Sequence, residues 1–373
     1  MSKTRIIDFF SDITDFRSPF RNKRHELIDI IAIAICAVIC GADSWEEVEE
    51  YAKVKVDWLT SFLALPNGIP SHDTINRVMS SICPNEFESC FREWVTSLIL
   101  PTGEEIISID GKTICGAKIN GKSNIHMVSA WASLSNLVLG QVKVNEKSNE
   151  ITAIPNLIEK LAIDGCVITI DAMGCQRSIA DLIIARKGNY VLALKENQAQ
   201  LLEEVKDEFL FSKPSINTES IYLDFGHGRI ETRTCTVITD FQHITNSGNW
   251  KDLTSVIRIE SIRDFKNMEE IEKSTRYYIS SLNHSPEQFQ RIIRSHWAIE
   301  NKLHWSLDVA FSEDLDRKRV NHAAQNFSLI NKIALNLTKN ETTCKLGIKS
   351  KRKIAGWNEA YLLKILGFQM RLP

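Results

Sequence analysis

The sequence predicts an α/β protein: a mixed-sheet core, interrupted by a β-rich insertion and preceded by a helical N-terminal domain. Three observations predict it. Residues 1 to about 98 carry helical periodicity. The pattern changes at Pro101-Thr102-Gly103, after which short apolar runs and helical stretches follow in the order β-β-β-α-β-α-β. From about residue 219 to 282 the chain is β-rich again, before a strongly patterned helix and a basic helical tail. The expected parts are residues 1–100, 101–200, 201–284 and 285–373.

In the first part, His25 to Cys40 reads as a long apolar helix, too short to span a membrane. Ser44 with Glu47 three residues on reads as a capping box. Pro70 to Val78 resembles the start of a recognition helix, and a plain packing helix would look the same. Glu86 to Leu100 is a further amphipathic helix. In the core, Glu105 to Asp110 is a short β-rich run. His126 to Ala132 and Leu137 to Val144 form a hairpin about Ser133-Leu134-Ser135-Asn136. Ala153 to Ala162 is helical. Cys166 to Asp171 is an apolar strand of the buried parallel kind, Gln176 to Lys187 is helical, and Tyr190 to Leu194 is another buried strand. Gln198 to Phe211 is a charged helix. Strands are expected at Arg229 to Thr239, Leu253 to Glu260 and Arg276 to Ser281, then a helix from Pro286 to Asp308.

The totals set bounds. The chain has 373 residues, of which 43% are hydrophobic and 25% charged, an ordinary globular balance with room for two or three domains. Met1 to Phe10 carries charges and lacks the apolar run of a secretory signal. The nine cysteines contain no CxxC pair, so they read as reduced thiols of a cytosolic protein and not as a zinc or disulfide framework. The formal net charge of -2 does not advertise nucleic-acid binding. Basic residues do gather between Arg291 and Lys353, which fits local phosphate contact or a solvated helical face.

Two acids occupy matching places. Asp110 ends or closely follows the first apolar strand, and Asp171 ends the fourth. If those strands are neighbours, the carboxylates emerge together, and their repulsion is relieved by a hard divalent cation. A third acid is expected from a helix across the sheet. Arg294-Ser295-His296-Trp297-Ala298-Ile299-Glu300-Asn301-Lys302-Leu303-His304 is the richest segment, with His296, Glu300 and His304 on one face. The alternative is that Glu300 pairs with a flanking histidine on a surface helix. Arg294, Asn301 and Lys302 lie close enough to Glu300 to meet phosphate. Lys195, Asn197 and Gln198 follow the last core strand, where they would line a nucleic-acid channel or simply start a helix. Gly226-His227-Gly228-Arg229-Ile230-Glu231-Thr232-Arg233 holds a turn that offers Arg229 and Arg233 to a backbone, or an ordinary hairpin.

Four segments together carry a resemblance: Ser108-Ile109-Asp110-Gly111-Lys112, Thr169-Ile170-Asp171-Ala172, Tyr190-Val191-Leu192-Ala193-Leu194-Lys195-Glu196-Asn197-Gln198 and His296-Trp297-Ala298-Ile299-Glu300-Asn301. They resemble the ISAs-type, or H-repeat-associated, insertion-sequence transposases over nearly the whole chain. The resemblance implies a DDE transposase with a ribonuclease-H-like core. Asp110, Asp171 and Glu300 would then hold two Mg2+ or Mn2+ ions about 4 Å apart for cleavage and strand transfer. It implies double-stranded DNA (transposon ends and target) as partner, no membrane, and a homodimer in the DNA complex. Lys112, Lys195, Asn197, Gln198, Arg229, Arg294, His296, Asn301, Lys302 and His304 are the candidate DNA contacts. The broader group carries Tyr-x2-Arg-x3-Glu-x6-Lys around the helix acid; here Ile293, His296, Glu300 and Leu307 stand there, and only the acid matches. Three other functions use the same residues: a nuclease without joining, an inactive DNA-binding relic, and a zinc hydrolase built on His296, Glu300 and His304. The last lacks the His-Glu-x-x-His spacing.

Overall fold

The computed structural model describes residues 6–17, 23–99, 105–117, 125–145, 148–212, 219–226, 229–245, 247–265 and 271–367. The expected boundary at Pro101-Thr102-Gly103 and the turn residues His227 and Gly228 lie outside them.

Among the described residues nine strands join in one mixed sheet. They are β1 (Ile106–Ile114), β2 (Ile125–Ala132), β3 (Leu137–Lys143), β4 (Val167–Ile170), β5 (Asn189–Leu194), β6 (Glu219–Gly226), β7 (Arg229–Ile238), β8 (Ser255–Phe265) and β9 (Ile271–Ser280). Their order is β3-β2-β1-β4-β5-β9-β8-β7-β6. β1, β2 and β3 form an antiparallel meander, and β4 and β5 run parallel to β1. β9 pairs antiparallel with β5, so the β-rich segment prolongs the core sheet instead of forming a sheet of its own.

Two strands differ from the expectation. β1 does not stop at Asp110: its pairing with β2 continues to Ile114↔Ile125, which holds the chain extended through Gly111 and Lys112. β6 was not expected. Its Ile221, Tyr222 and Leu223 are all exposed, so it lacks the alternating burial that marks a half-buried strand.

Strand alternation gives the sheet two faces. Ile107, Ile109, Ile168, Ile170 and Leu192 pack with helices Glu150–Lys160 and Arg177–Ala185 through Ile154, Leu157, Ile158, Ile179 and Ile183. Ile106, Val167 and Val191 point the other way and meet Phe289, Ile292 and Ile293 of helix Pro286–His296. That helix starts at a Ser285–Gln288 capping box and runs on through a π-helical stretch, Ile299–His304, into helix Trp305–Phe311. In the π stretch the Trp305 N–H reaches the Glu300 carbonyl five residues back. The Lys339 ammonium donates to the Lys302 carbonyl at 2.7 Å. Single π turns inside α-helices occur often at functional sites.

The N-terminal helices share the same core. Leu27–Ile39 is buried almost all round, and Trp45–Val54 begins at the expected Ser44–Glu47 capping box. Helix His72–Ser81, capped by Ser71, buries Ile75, Val78 and Met79. The Asn326 amide of helix Ala323–Asn340 donates to the carbonyls of Met79 and Ile82 at 2.7 and 3.0 Å. No described helix is long and apolar enough to cross a membrane.

The basic tail needs a correction. Much of its positive charge points inward. Lys332, Lys351 and Arg352 are buried. Arg352 donates to the Val38 carbonyl, and Lys351 to the carbonyls of Thr338 and Glu341. Lys318 pairs with Asp316 at 2.9 Å. Lys339 lies over the Trp131 ring, and burial with the nearby Lys302 charge pushes its pKa down to about 7. These side chains clamp the C-terminal helices to the core. Arg291, Arg294, Lys302, Lys345, Lys349 and Lys353 stay on the surface.

Candidate active site

The parallel register of β1 and β4 brings the two strand acids together. Ser108 is level with Thr169 and Ile109 with Ile170, so Asp110 and Asp171 stand at the next step. Adjacent strands lie about 4.8 Å apart. Asp110 is therefore inside β1 but just past its pairing with β4, where the two strands part. Even-numbered residues of β1 face the helix that carries Glu300. The Ser108 hydroxyl donates to the Ser295 carbonyl at 3.4 Å and accepts from Thr169 at 3.1 Å. Thr169 Oγ1 is 3.0 Å from His296 Nδ1. One step along β1, Asp110 Oδ2 is 3.6 Å from His304 Nδ1. One step further, Lys112 meets Asp308 and, at 3.1 Å, Glu313.

Strand and helix thus run as a ladder of polar contacts with Asp110 in the middle. Asp171 starts the short 3-10 turn Ala172–Gly174 and accepts from the Gly174 N–H at 3.4 Å. Glu300 sits on the exposed side of the π stretch. The two histidines take Thr169 and Asp110 as partners, which leaves no sign of the surface helix in which Glu300 pairs with a flanking histidine.

Electrostatics tie the acids together. Burial pushes the Asp110 pKa up to about 7, against a hydrogen bond from the Gly111 N–H; the charges of Glu150, Asp171 and Glu300 push it further in the same direction. Burial holds His296 and His304 down at about 4, so both are neutral imidazoles at neutral pH. The contact of His304 with Asp110 is then dipolar and not an ion pair. His304 Nε2 is buried with no hydrogen-bond partner among the described residues.

Among the described residues, no three His, Cys, Asp or Glu side chains close on one point as a ready-made metal cage. Asp110 Oδ2 faces His304 and Asp171 accepts from the Gly174 N–H. The donor chemistry still suits a hard divalent ion. Carboxylate oxygens predominate, burial and then neighbouring acids raise the pKa of one of them, and a neutral imidazole stands by with a nitrogen that has no hydrogen-bond partner among the described residues. The same arrangement does not suit zinc on His296 and His304, whose Nδ1 atoms face Thr169 and Asp110 separately.

The other expected contacts divide. Lys112 is engaged by Asp308, Glu313 and Asp314; burial opposes its charge, but these carboxylates outweigh that and its pKa is raised. Asn197 and Gln198 donate to the carbonyls of Ala172 and Cys175 at 2.7 and 2.9 Å, so they brace the loop after Asp171. His296 and His304 also point inward. Lys195 and Asn301 are exposed, and Lys302 donates to Asn136 at 3.0 Å. Arg229 opens β7, and its side chain is outside the described part.

A cleft of about 1130 Å³ lies between helix Pro286–His296 and the β6–β9 strands. Arg233, Arg263, Arg276, Arg291 and Arg294 line it. Arg276 lies over the Trp297 ring and Arg294 over the Tyr222 ring, both near 5 Å. One end of the cleft reaches Ala298, Asn301 and Lys302, on either side of Glu300 in sequence.

Residues 101–337 match the family described as "Transposase DDE domain", and residues 7–95 match "DDE_Tnp_1-associated". The chain belongs to the DDE transposase family. It is 42% identical to "Putative transposase YncI" of Escherichia coli O157:H7, over 98% of this chain and 95% of that protein. It is 38% identical to "H repeat-associated putative transposase YhhI" of Escherichia coli K12, over 98% of both chains.

In this DDE transposase, sequence reasoning missed two groups. Glu150 escaped because an acid in the first turn of a helix is ordinarily read as complementing the helix dipole. Arg263 and Arg276 escaped because they sit on separate strands, and only the sheet pairing puts them in one cleft with Arg233.

Proposed function

We propose that the protein is an active transposase that cuts DNA at transposon ends and joins the ends to target DNA. Asp110, Asp171 and Glu300 serve as its catalytic acids. The observation that carries this reading is the register that sets Asp110 beside Asp171, on the face covered by the helix bearing Glu300. We read the β3-β2-β1-β4-β5 part of the sheet, a meander continued by two parallel strands, as a ribonuclease-H-like core with β6–β9 inserted before its last helix. Residues 1–100 are assigned to DNA binding, 101–200 and 285–373 to the catalytic core and tail, and 201–284 to the insertion.

Mg2+ or Mn2+, two ions per site held by Asp110, Asp171 and Glu300, would activate the attacking water or 3′-hydroxyl and neutralise charge at the phosphorus. The chain's own residues prepare the rest. Thr169 and His296 lock the Glu300 helix against β4, while Asn197 and Gln198 fix the loop after Asp171. The Arg276 and Arg294 guanidiniums, stacked on rings, are pre-oriented toward phosphates of a backbone lying in the cleft and leading to Glu300. A cation bound there would favour the ionised Asp110 carboxylate and release its proton to water, offsetting the burial that raises its pKa.

Incubating the protein with pre-cleaved transposon ends, target DNA and Mg2+ tests this reading. Joined product is expected, and Asp110→Asn should lower both cleavage and joining by roughly a thousand-fold or more while DNA binding persists. Hydrolysis with no joined product would make the protein a nuclease. Unchanged activity in Asp110→Asn would remove the proposed site.

A further inference from the structure

Glu150 stands at the start of helix Glu150–Lys160, and Glu150 Oε1 is 2.6 Å from His126 Nε2. His126 is held from its other side: its Nδ1 is 2.9 Å from Thr113 Oγ1, its partner in the β1–β2 register. With the Thr113 hydroxyl donating to Nδ1, Nε2 carries the proton and donates to the carboxylate. Glu150 is thereby fixed in place.

It is fixed against Gly111, next in sequence to Asp110. A Cβ built on Gly111 would fall into the Glu150 carboxylate and against His126 Nε2. Any side chain larger than glycine there would push the Glu150 carboxylate off the β1 backbone beside Asp110. Alternation along β1 explains the geometry. Asp110 points to the Glu300 helix, and Gly111 points to the opposite face, where helix Glu150–Lys160 packs. Glu150 thus comes to Asp110 from the far face of β1, past a backbone with no side chain in the way. Two carboxylates on neighbouring positions repel each other unless a cation shares them.

We propose that Glu150, oriented by His126 and admitted by Gly111, is a fourth carboxylate of the divalent-ion site centred on Asp110. The proposal rests on the metal-dependent reading above. His126 is a positioning residue in it, acting through Glu150.

The test is Mn2+ binding by the full-length protein without DNA, followed by calorimetry and by the electron-paramagnetic signal of free Mn2+. Glu150→Gln should weaken binding by about ten-fold or more. Gly111→Ala, which keeps every charge but pushes the carboxylate away, should weaken it in the same direction. Asp110→Asn should remove most binding. Circular-dichroism melts without metal identify any variant that has lost its fold, and the variant that stays folded decides. Wild-type affinity in folded Glu150→Gln or Gly111→Ala, with binding lost in Asp110→Asn, overturns the role of Glu150 and leaves the three-acid reading standing. Wild-type affinity in Asp110→Asn overturns both.

Discussion

The two halves of the sheet are built to opposite specifications. In β1, β4 and β5 most positions before the strand ends are buried, and β4 is buried at all four. Helices cover both faces there; the polar Ser108 and Thr169 are buried and tied to each other and to the Glu300 helix, and Asp110 and Asp171 stand where the strands part. In β6 to β9 the far ends are open to solvent. β9 is buried only over its last three residues, where it pairs with β5. The Glu231 carboxylate is buried there, held by Arg233 and Arg263 at 2.9 and 3.1 Å. The first half is a rigid frame that fixes acids, and the second is a ribbon that displays bases.

Core deletions should break this comparison most sharply. Ile168, fully buried in β4, is expected to cost roughly 2–5 kcal/mol on substitution by alanine. Ile262, 41% exposed in β8, should cost about 0.5 kcal/mol or less. Equal losses in urea melts would mean that the ribbon is as tightly packed as the frame.

Charge at the frame gives the next effect. The folded pKa of Asp110 is raised from 3.8 to about 7, so between those values the native state binds more protons than the unfolded chain. Stability is then highest at low pH and is lost as pH rises through the folded pKa. Asp110→Asn removes that loss. At about pH 8 without metal the variant should be more stable than wild type by roughly 2–4 kcal/mol, with the difference fading toward about pH 4. A destabilised variant at about pH 8 would show that Asp110 holds the fold together instead of straining it.

The ribbon's cleft offers a smaller effect. Arg276→Ala with Arg291→Ala should lower DNA affinity by about ten-fold and flatten its salt dependence, with little change in melting temperature. A salt slope equal to wild type would move the DNA elsewhere.

Much of the fold was legible because burial imposes period. The apolar runs at Cys166–Asp171 and Tyr190–Leu194 are strands that only a two-sided core would use, and the sheet has them parallel and central. β6 was illegible for the same reason in reverse, since an exposed strand leaves no alternation to read. Chemistry followed the same division. Asp110 and Asp171 stood out as acids closing apolar runs, and Glu300 stood out through its motif. The basic tail misled, because sequence counts charges without saying which way they point. Lys332 and Lys351 proved to be internal clamps.

By itself the sequence determined the kinds of most elements and their order and singled out three candidate acids, since local periodicity and residue chemistry are properties of the chain. The tertiary structure decided register, facing and company. Register put Asp110 level with Asp171. The strand continuing to Ile114 put Gly111 under Glu150, 39 residues further along the chain. The curl of the long sheet gathered arginines from three strands opposite one helix. These are contacts between residues far apart in sequence, and only packing sets them.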